Sequence, residues 1–305
     1  MTPFELMYQL IIIGAGPAGL TAGIYAKRYG INFLIIGQIL GGTINEAHLV
    51  DNYPGIKSIS GHQLTKLFQK HLATKIKQEQ VEKITKGNSV QGQIFKIATN
   101  KGNYQAQSLI LALGMKIRKL DIKNEEKFLD KGISYYTANN IRQFKDKTLA
   151  VVGGGDSALT TALKAADQAK KVYLIHRRDE FRGAPILIKK VKEKPNIEII
   201  YQAKVVGAKG KKLLEEIVLD NKKEIKVNKL FIEIGGIPNV HLAKNLKIKI
   251  ENNFIVTDKN QATNIAGVLA AGDMTNNPLK QIVTAAAEGA IAATSAYKYL
   301  KRLTN

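Results

Sequence analysis

Twice in its 305 residues the chain runs through the same four steps: an apolar stretch, a glycine-rich turn, a stretch of helical period, and a second apolar stretch. The first instance is YQLIIIGAGPAGLTAGIYAKRYG, continued by INFLIIG. The second is TLAVVGGGDSALTTALKAADQAKKVYLIHRR, with Gly153 where the first has Gly14. A short apolar run closed by glycine reads as a buried strand, here Tyr8 to Ile13, and Gly30 after the last helical turn reads as a stop. Strands joined by helices need crossover connections, which build parallel, doubly wound sheets. The fold class predicted is therefore α/β, with two Rossmann-like, three-layer nucleotide-binding domains. Between the two units FKIATNKGNYQAQSLILAL alternates like a β-meander that leads into a buried strand. After the second, LLEEIVLDNKKEIKVNKLFIEIG predicts another hairpin returning to a core strand, and KQIVTAAAEGAIAATSAYKYLKR predicts a final packed helix.

Each glycine turn carries a chemical expectation. In Gly14-Ala15-Gly16-Pro17-Ala18-Gly19 the first glycine allows the turn. Gly16 lets the backbone approach a pyrophosphate, and Gly19 permits close packing of helix on strand. The helix start offers unpaired N–H groups to the phosphates. The second strand of this unit ends in Gly37, so no acid stands there for a ribose hydroxyl. The second turn, Gly153-Gly154-Gly155-Asp156-Ser157-Ala158, has Ala158 in the third small position. Its following strand ends in His176-Arg177-Arg178-Asp179. Guanidinium groups at that place match a 2′-phosphate with paired hydrogen bonds, which favours NADPH over NADH. His176 is expected to support its neighbours rather than to act as a base.

Composition narrows the class further. Apolar residues make up 45% of the chain, enough for substantial cores, yet no run approaches the length needed to span a bilayer. No signal peptide is expected, and a cytoplasmic protein is the default. With no cysteine, structural disulfides, thiolate metal sites and a cysteine nucleophile are all excluded. The net charge of +21 fits either an acidic partner or a lysine bias spread along the whole chain. No basic block interleaved with aromatics points to nucleic acid.

Taken together, GAGPAG, GGGDSA, HRRDEFR, DNYPG at 51–55, GGIPN at 235–239, GVLAAGDM at 267–274 and KQIVTAAAEGAIAA resemble the low-molecular-weight thioredoxin reductase family over nearly the whole chain. The resemblance implies that the first fingerprint, including Pro17 and Ala18, holds FAD. Gly41, Gly42, Asn52, Tyr53, Gly114, Gly272, Asp273, Lys280, Gln281 and Ile282 would lie about the same cofactor. Arg182 and Gly235 would join the second fingerprint around NADPH. The FAD domain is expected to be discontinuous, 1–117 with 245–305, and the NADPH domain to be inserted over 118–244. A homodimer is implied. The stretch LALG at 111–114 departs from the family, which usually has threonine where Leu113 stands.

A Cys-x-x-Cys pair precedes the second glycine turn in that family. Its positions fall here on Tyr136 and Asn139. Neither side chain can accept two electrons from a flavin and exchange with a protein disulfide, because that chemistry needs a thiolate. Thioredoxin reduction through a dithiol of this chain is excluded, and no side chain is identified as catalytic. Tyr135 and Tyr136 are read as packing at a former active site, or, more sharply, one of them as a shield for the flavin. What the resemblance leaves is transfer from NADPH to flavin N5 and on to an external acceptor. Cysteine-free relatives reduce ferredoxin or flavodoxin, acidic partners that a basic surface would attract. The alternatives are an NAD(P)H oxidase or quinone reductase, and a redox sensor of low turnover.

Overall fold

The computed structural model describes residues 6–47, 49–89, 92–135 and 144–304, and the chain divides into two compact units, 1–116 with 237–305 and 117–236. The first unit opens with β1 (Leu6–Ile13), α1 (Pro17–Arg28) and β2 (Phe33–Ile36). Proline at the first helical position presets φ, and Gly30 at φ +66° ends the helix while its N–H bonds Lys27 O. α2 (Gly61–Leu72) starts at a capping box, in which Ser60 and Gln63 satisfy each other's backbone donors. The antiparallel strands β3 (Val81–Ser89), β4 (Gly92–Thr99) and β5 (Asn103–Leu111) complete a sheet of order β2-β1-β5-β4-β3. Parallel pairing puts Ile36, Ile13 and Leu111 at one level, so the loops that follow these strands emerge side by side. β6 (Met115–Ile117) closes this segment.

The second unit contains α3 (Glu125–Phe128), β7 (Ile133–Ser134), β8 (Thr148–Gly153), α4 (Asp156–Ala166), β9 (Lys171–Ile175), α5 (Pro185–Glu193) and β10 (Ile197–Ile200). A meander of β11 (Val205–Lys209), β12 (Glu216–Leu219) and β13 (Glu224–Lys226) then leads to β14 (Lys229–Glu233). The main sheet is parallel throughout, in the order β10-β9-β8-β14-β7. Alternate residues of β8 serve opposite layers. Leu149 and Val151 pack toward α4 and α5, whereas Ala150 and Val152 pack with the meander residues Ile217, Leu219 and Ile225. A strand buried on both faces reads as a continuous apolar run, which is why TLAVVG shows no alternation.

The chain then re-enters the first unit through β15 (Gly236–Pro238), which pairs with β6, and continues through α6 (His241–Asn245), β16 (Ile250–Glu251) and β17 (Phe254–Ile255). β18 (Val268–Ala270) adds in parallel to the end of β5, and α7 (Ile282–Thr304) lies along α1. Two buried clusters sandwich the sheet. One joins Leu10 and Ile12 to alanines of α1 and α7, and the other joins Ile11 and Ile13 to Phe95, Leu242 and Met274. Each fully buried Leu or Ile contributes about 1.5–3 kcal/mol. The α/β class and the parallel sheets agree with the sequence reading. Among the described residues, no helix is long and apolar enough to cross a membrane, and no group of three or more His, Asp or Glu could hold a metal ion.

Candidate functional site

In the first unit the backbone at the end of β1 leaves no room for a side chain at Gly14 or Gly19. Gly14 has φ +122°, and a Cβ there would sit 2.0 Å from Ala112 O. A Cβ at Gly19 would sit 1.9 Å from Gly14 O. Gly16 differs, because its Cβ position has only Gly41 O within 4 Å, at 3.8 Å. It caps α1 in an extended conformation with no side chain bonded to the first helical amides. An open glycine at an uncapped 12-residue helix fits the approach of a pyrophosphate. The Gly41 N–H donates to Ala15 O at 2.7 Å, which docks the loop carrying Gly41 and Gly42 onto the fingerprint.

Three further segments of the same unit carry the remaining candidate residues. Gly272, at φ +84°, follows β18 and places its Cα side against Ala18, and Asp273 comes next. Burial raises the Asp273 carboxyl above the ordinary carboxylate range. Lys280 opposes that shift and the Glu288 charge adds to it. The Lys280 ammonium donates to Thr275 O at 2.6 Å and lies 4.6 Å above the Phe254 ring; burial lowers its pKa. The Asn52 amide donates to Gln281 Oε1 at 3.0 Å, joining two segments more than 200 residues apart in sequence. Tyr53 and Ile282 both pack on the cluster of Ile44, Val50 and Leu64. Residues Asp51 to Lys57 line an open cleft of about 530 Å³. Gly114 has φ +60° and open space at its Cβ position, and Leu113 donates its N–H to Met274 Sδ rather than presenting a hydroxyl.

In the second unit Gly153 repeats the crowding of Gly14, with a Cβ position 2.2 Å from Glu233 O, and Gly155 repeats the openness of Gly16. Gly155 caps α4 without a side-chain bond. The Asp156 carboxylate, in contrast, is engaged within the protein, accepting the Ala184 N–H at 2.7 Å. Arg182 and Gly183 donate their backbone N–H groups to Gly154 O, so the loop after β9 folds back over the turn. Arg177, Arg178 and Arg182 are exposed there, as is Ser157, whereas Ala158 is fully buried. His176 lies beneath Gly154 and is only 5% exposed. Burial depresses its pKa, and Arg182, Arg178 and Arg177 act in the same direction. Gly235, at φ +80°, stands at an open position after β14.

Tyr136 and Asn139 lie outside the described residues. Tyr135 does not. Its hydroxyl donates to Glu125 Oε1 at 2.5 Å and accepts the Leu120 N–H at 2.6 Å, and burial together with the Glu125 bond raises its pKa strongly. That hydroxyl is used within its own unit, which supports the packing reading of this residue. Sequence reasoning missed Glu288 altogether. This carboxylate is 3% exposed on α7 and accepts hydrogen bonds from Gly272 N–H, Thr275 Oγ1 and Asn277 Nδ2. The available signal was one acid in a run of alanines.

The sequence pattern described as pyridine nucleotide-disulphide oxidoreductase matches residues 8–289. A thioredoxin reductase of Mycoplasma genitalium is 36% identical over 299 residues, covering 96% of this chain and 95% of the relative. The crystal structure of Lactococcus lactis thioredoxin reductase superposes with a TM-score of 0.90 at 31% identity, over 97% of this chain and 99% of that one. A ferredoxin-flavin thioredoxin reductase from Clostridium acetobutylicum superposes with a TM-score of 0.54 at 30% identity, over 98% and 99%. With a family match across most of its length and both dinucleotide turns in place, the chain belongs to the pyridine nucleotide-disulphide oxidoreductase family, among its thioredoxin reductase-like members.

Proposed function

We propose that this chain is an NADPH-dependent FAD enzyme that passes electrons from flavin directly to an external acceptor, an acidic electron-transfer protein such as ferredoxin or flavodoxin. One observation carries the reading: a member of a disulphide oxidoreductase family has no cysteine anywhere in its 305 residues. A dithiol relay needs a thiolate, and neither Tyr136 nor Asn139 can become one. When bound, FAD supplies the two-electron chemistry with NADPH and the release of electrons singly or in pairs.

The rest is the work of the chain's own groups. In the first unit Gly14, Gly16 and Gly19 shape the turn, and the uncapped start of α1 receives the pyrophosphate. Asp273, Lys280, Gln281 and Asn52 bound the remainder of the cofactor site. In the second unit Gly153 and Gly155 do the corresponding work for NADPH, with Arg177, Arg178 and Arg182 receiving the 2′-phosphate. The acidic partner is supported by the net charge of +21, which raises encounter rates with an anionic protein. It is also supported by the likeness to a structure whose name couples ferredoxin to flavin. The same reading includes a homodimer, as the family resemblance implies, and a place in the cytoplasm.

The test is anaerobic. Purified protein is mixed with NADPH and then with NADH while flavin absorbance is followed. Reoxidation by ferredoxin, flavodoxin, quinone and oxygen is then compared at low and high salt. Bleaching by NADPH, with fast reoxidation by ferredoxin or flavodoxin that slows as salt rises, is the expected result. Reoxidation only by quinone or oxygen, independent of salt, would replace the partner protein with a small acceptor. No bleaching with either nucleotide would point to a sensor.

A further inference from the structure

We propose that Glu288 is a positioning residue of the FAD site, whose carboxylate locks the turn from Gly272 to Asn277 and so holds the Asp273 carboxyl in place for the cofactor. The proposal rests on reading the first unit as the FAD site. A buried carboxylate is costly unless its oxygens are hydrogen-bonded. Glu288 sits among the buried alanines Ala285, Ala286, Ala292 and Ala293 and forms no ion pair among the described residues. All three of its donors come instead from one turn: Gly272 N–H at 2.8 Å, Thr275 Oγ1 at 3.0 Å, and Asn277 Nδ2.

Helix packing brings the carboxylate there. Gly289, the next residue, faces Ala18, and a Cβ on it would lie 2.1 Å from Ala18 O. A side chain at 289 would push α7 off α1 and draw Glu288 out of the turn. On the other side Gly272 meets Ala18 Cβ, so the fingerprint helix, the turn and α7 meet at one place.

The chemical consequence follows from which donors remain. A backbone N–H beside a helix N-terminus is a ready anion ligand. At Gly272 that N–H is already bonded to Glu288. The Gly272 N–H is therefore spent on holding the turn, and the Asp273 carboxyl that follows it is fixed in position.

The experiment measures FAD dissociation constants of flavin-free protein by fluorescence quenching, with thermal melting of each flavin-free variant alongside. Glu288→Ala is expected to weaken FAD binding about tenfold or more, since three bonds to the turn are lost. Glu288→Gln keeps an oxygen for the Gly272 N–H and should stay within about threefold of the parent. Glu288→Ala added to Asp273→Asn should cost little beyond Asp273→Asn alone, because the first acts through the second. Should Glu288→Ala not fold, Thr275→Val with Asn277→Ala removes two of the three donors and should still weaken binding. Parent-like affinity in Glu288→Ala, or losses that multiply in the double variant, would overturn the proposal. A parent protein that binds no FAD would overturn the reading of the site itself, and this proposal with it.

Discussion

The two glycine turns fill one slot from opposite sides. In the first, Ala15 carries a methyl group, and the residue after β2 is Gly37, whose Cβ would lie 2.6 Å from that methyl. In the second, the corresponding turn residue is Gly154, and the residue after β9 is His176, whose ring atoms lie 2.3–2.7 Å from where a Gly154 Cβ would be. Both turns keep the crowded first glycine, Gly14 or Gly153, and the open second one, Gly16 or Gly155. What varies is the neighbour that packs under the turn. A glycine at the strand end leaves the first site without charge at that place, whereas the histidine introduces a segment that ends in exposed arginines. The backbone requirement is therefore common to both turns, and the chemical choice is made by the next strand.

The largest expected effect tests the common part. Gly14→Ala brings Cβ within 2.0 Å of Ala112 O at φ +122°, so the turn must shift as a whole. The purified variant should retain little or no flavin by its absorbance ratio while NADPH binding to the second unit persists. Gly153→Ala should do the reverse. Loss of both ligands in either variant would mean that the two turns are not separate sites.

Next comes the difference at the strand ends. If Arg177 and Arg178 hold the 2′-phosphate as proposed, Arg177→Ala with Arg178→Ala removes charge-assisted bonds of about 1.5–3 kcal/mol each, so NADPH affinity should fall about a hundredfold or more while NADH changes little. Titration with the two nucleotides decides it, and equal losses would remove the phosphate role from these guanidinium groups. Smaller again is the exchange of packing. Gly154→Ala should overpack the His176 ring and cost about 1–3 kcal/mol. Adding His176→Ala should recover part of that loss in a thermal melt, and strictly additive losses would deny that the two residues share a slot.

Much of this organisation is visible in the letters. The glycines, the period change from strand to helix and the meander residues all impose local requirements, so the parallel sheets could be read before any coordinates. The slot shared by Gly154 and His176 could not, because it depends on two loops meeting after β8 and β9 have paired. Asp156 illustrates the same limit. Its place in the fingerprint is plain in the letters, whereas the hydrogen bond its carboxylate accepts from the Ala184 N–H is not. Glu288 was hidden for a related reason: its donors belong to a turn ten or more residues upstream, and an alanine-rich helix gives no hint of which face meets it. Tyr135 adjoins the position where the family has its first cysteine, while its partners, Glu125 and Leu120, carry no signal in the sequence.

The smallest effect follows from the imidazole itself. Burial holds the His176 pKa below its ordinary value of 6.5, the guanidinium groups of Arg182, Arg178 and Arg177 push the same way, and a hydrogen bond to the Glu180 backbone opposes them. The unfolded chain then takes up a proton that the folded chain refuses. The contribution of His176 is complete above pH 6.5 and is lost as pH falls toward the depressed folded value. Melting temperatures recorded from pH 7.5 downward should therefore decline more steeply in the parent than in His176→Asn, which has nothing to titrate at that place. Gly37 fills the equivalent position of the first turn, so Gly37→Ala should lower stability by crowding Ala15 yet leave the acid slope of the parent unchanged. Equal slopes in the parent and in His176→Asn would mean that the ring is charged or solvated in solution, and the distinction between the two slots would then rest on shape alone.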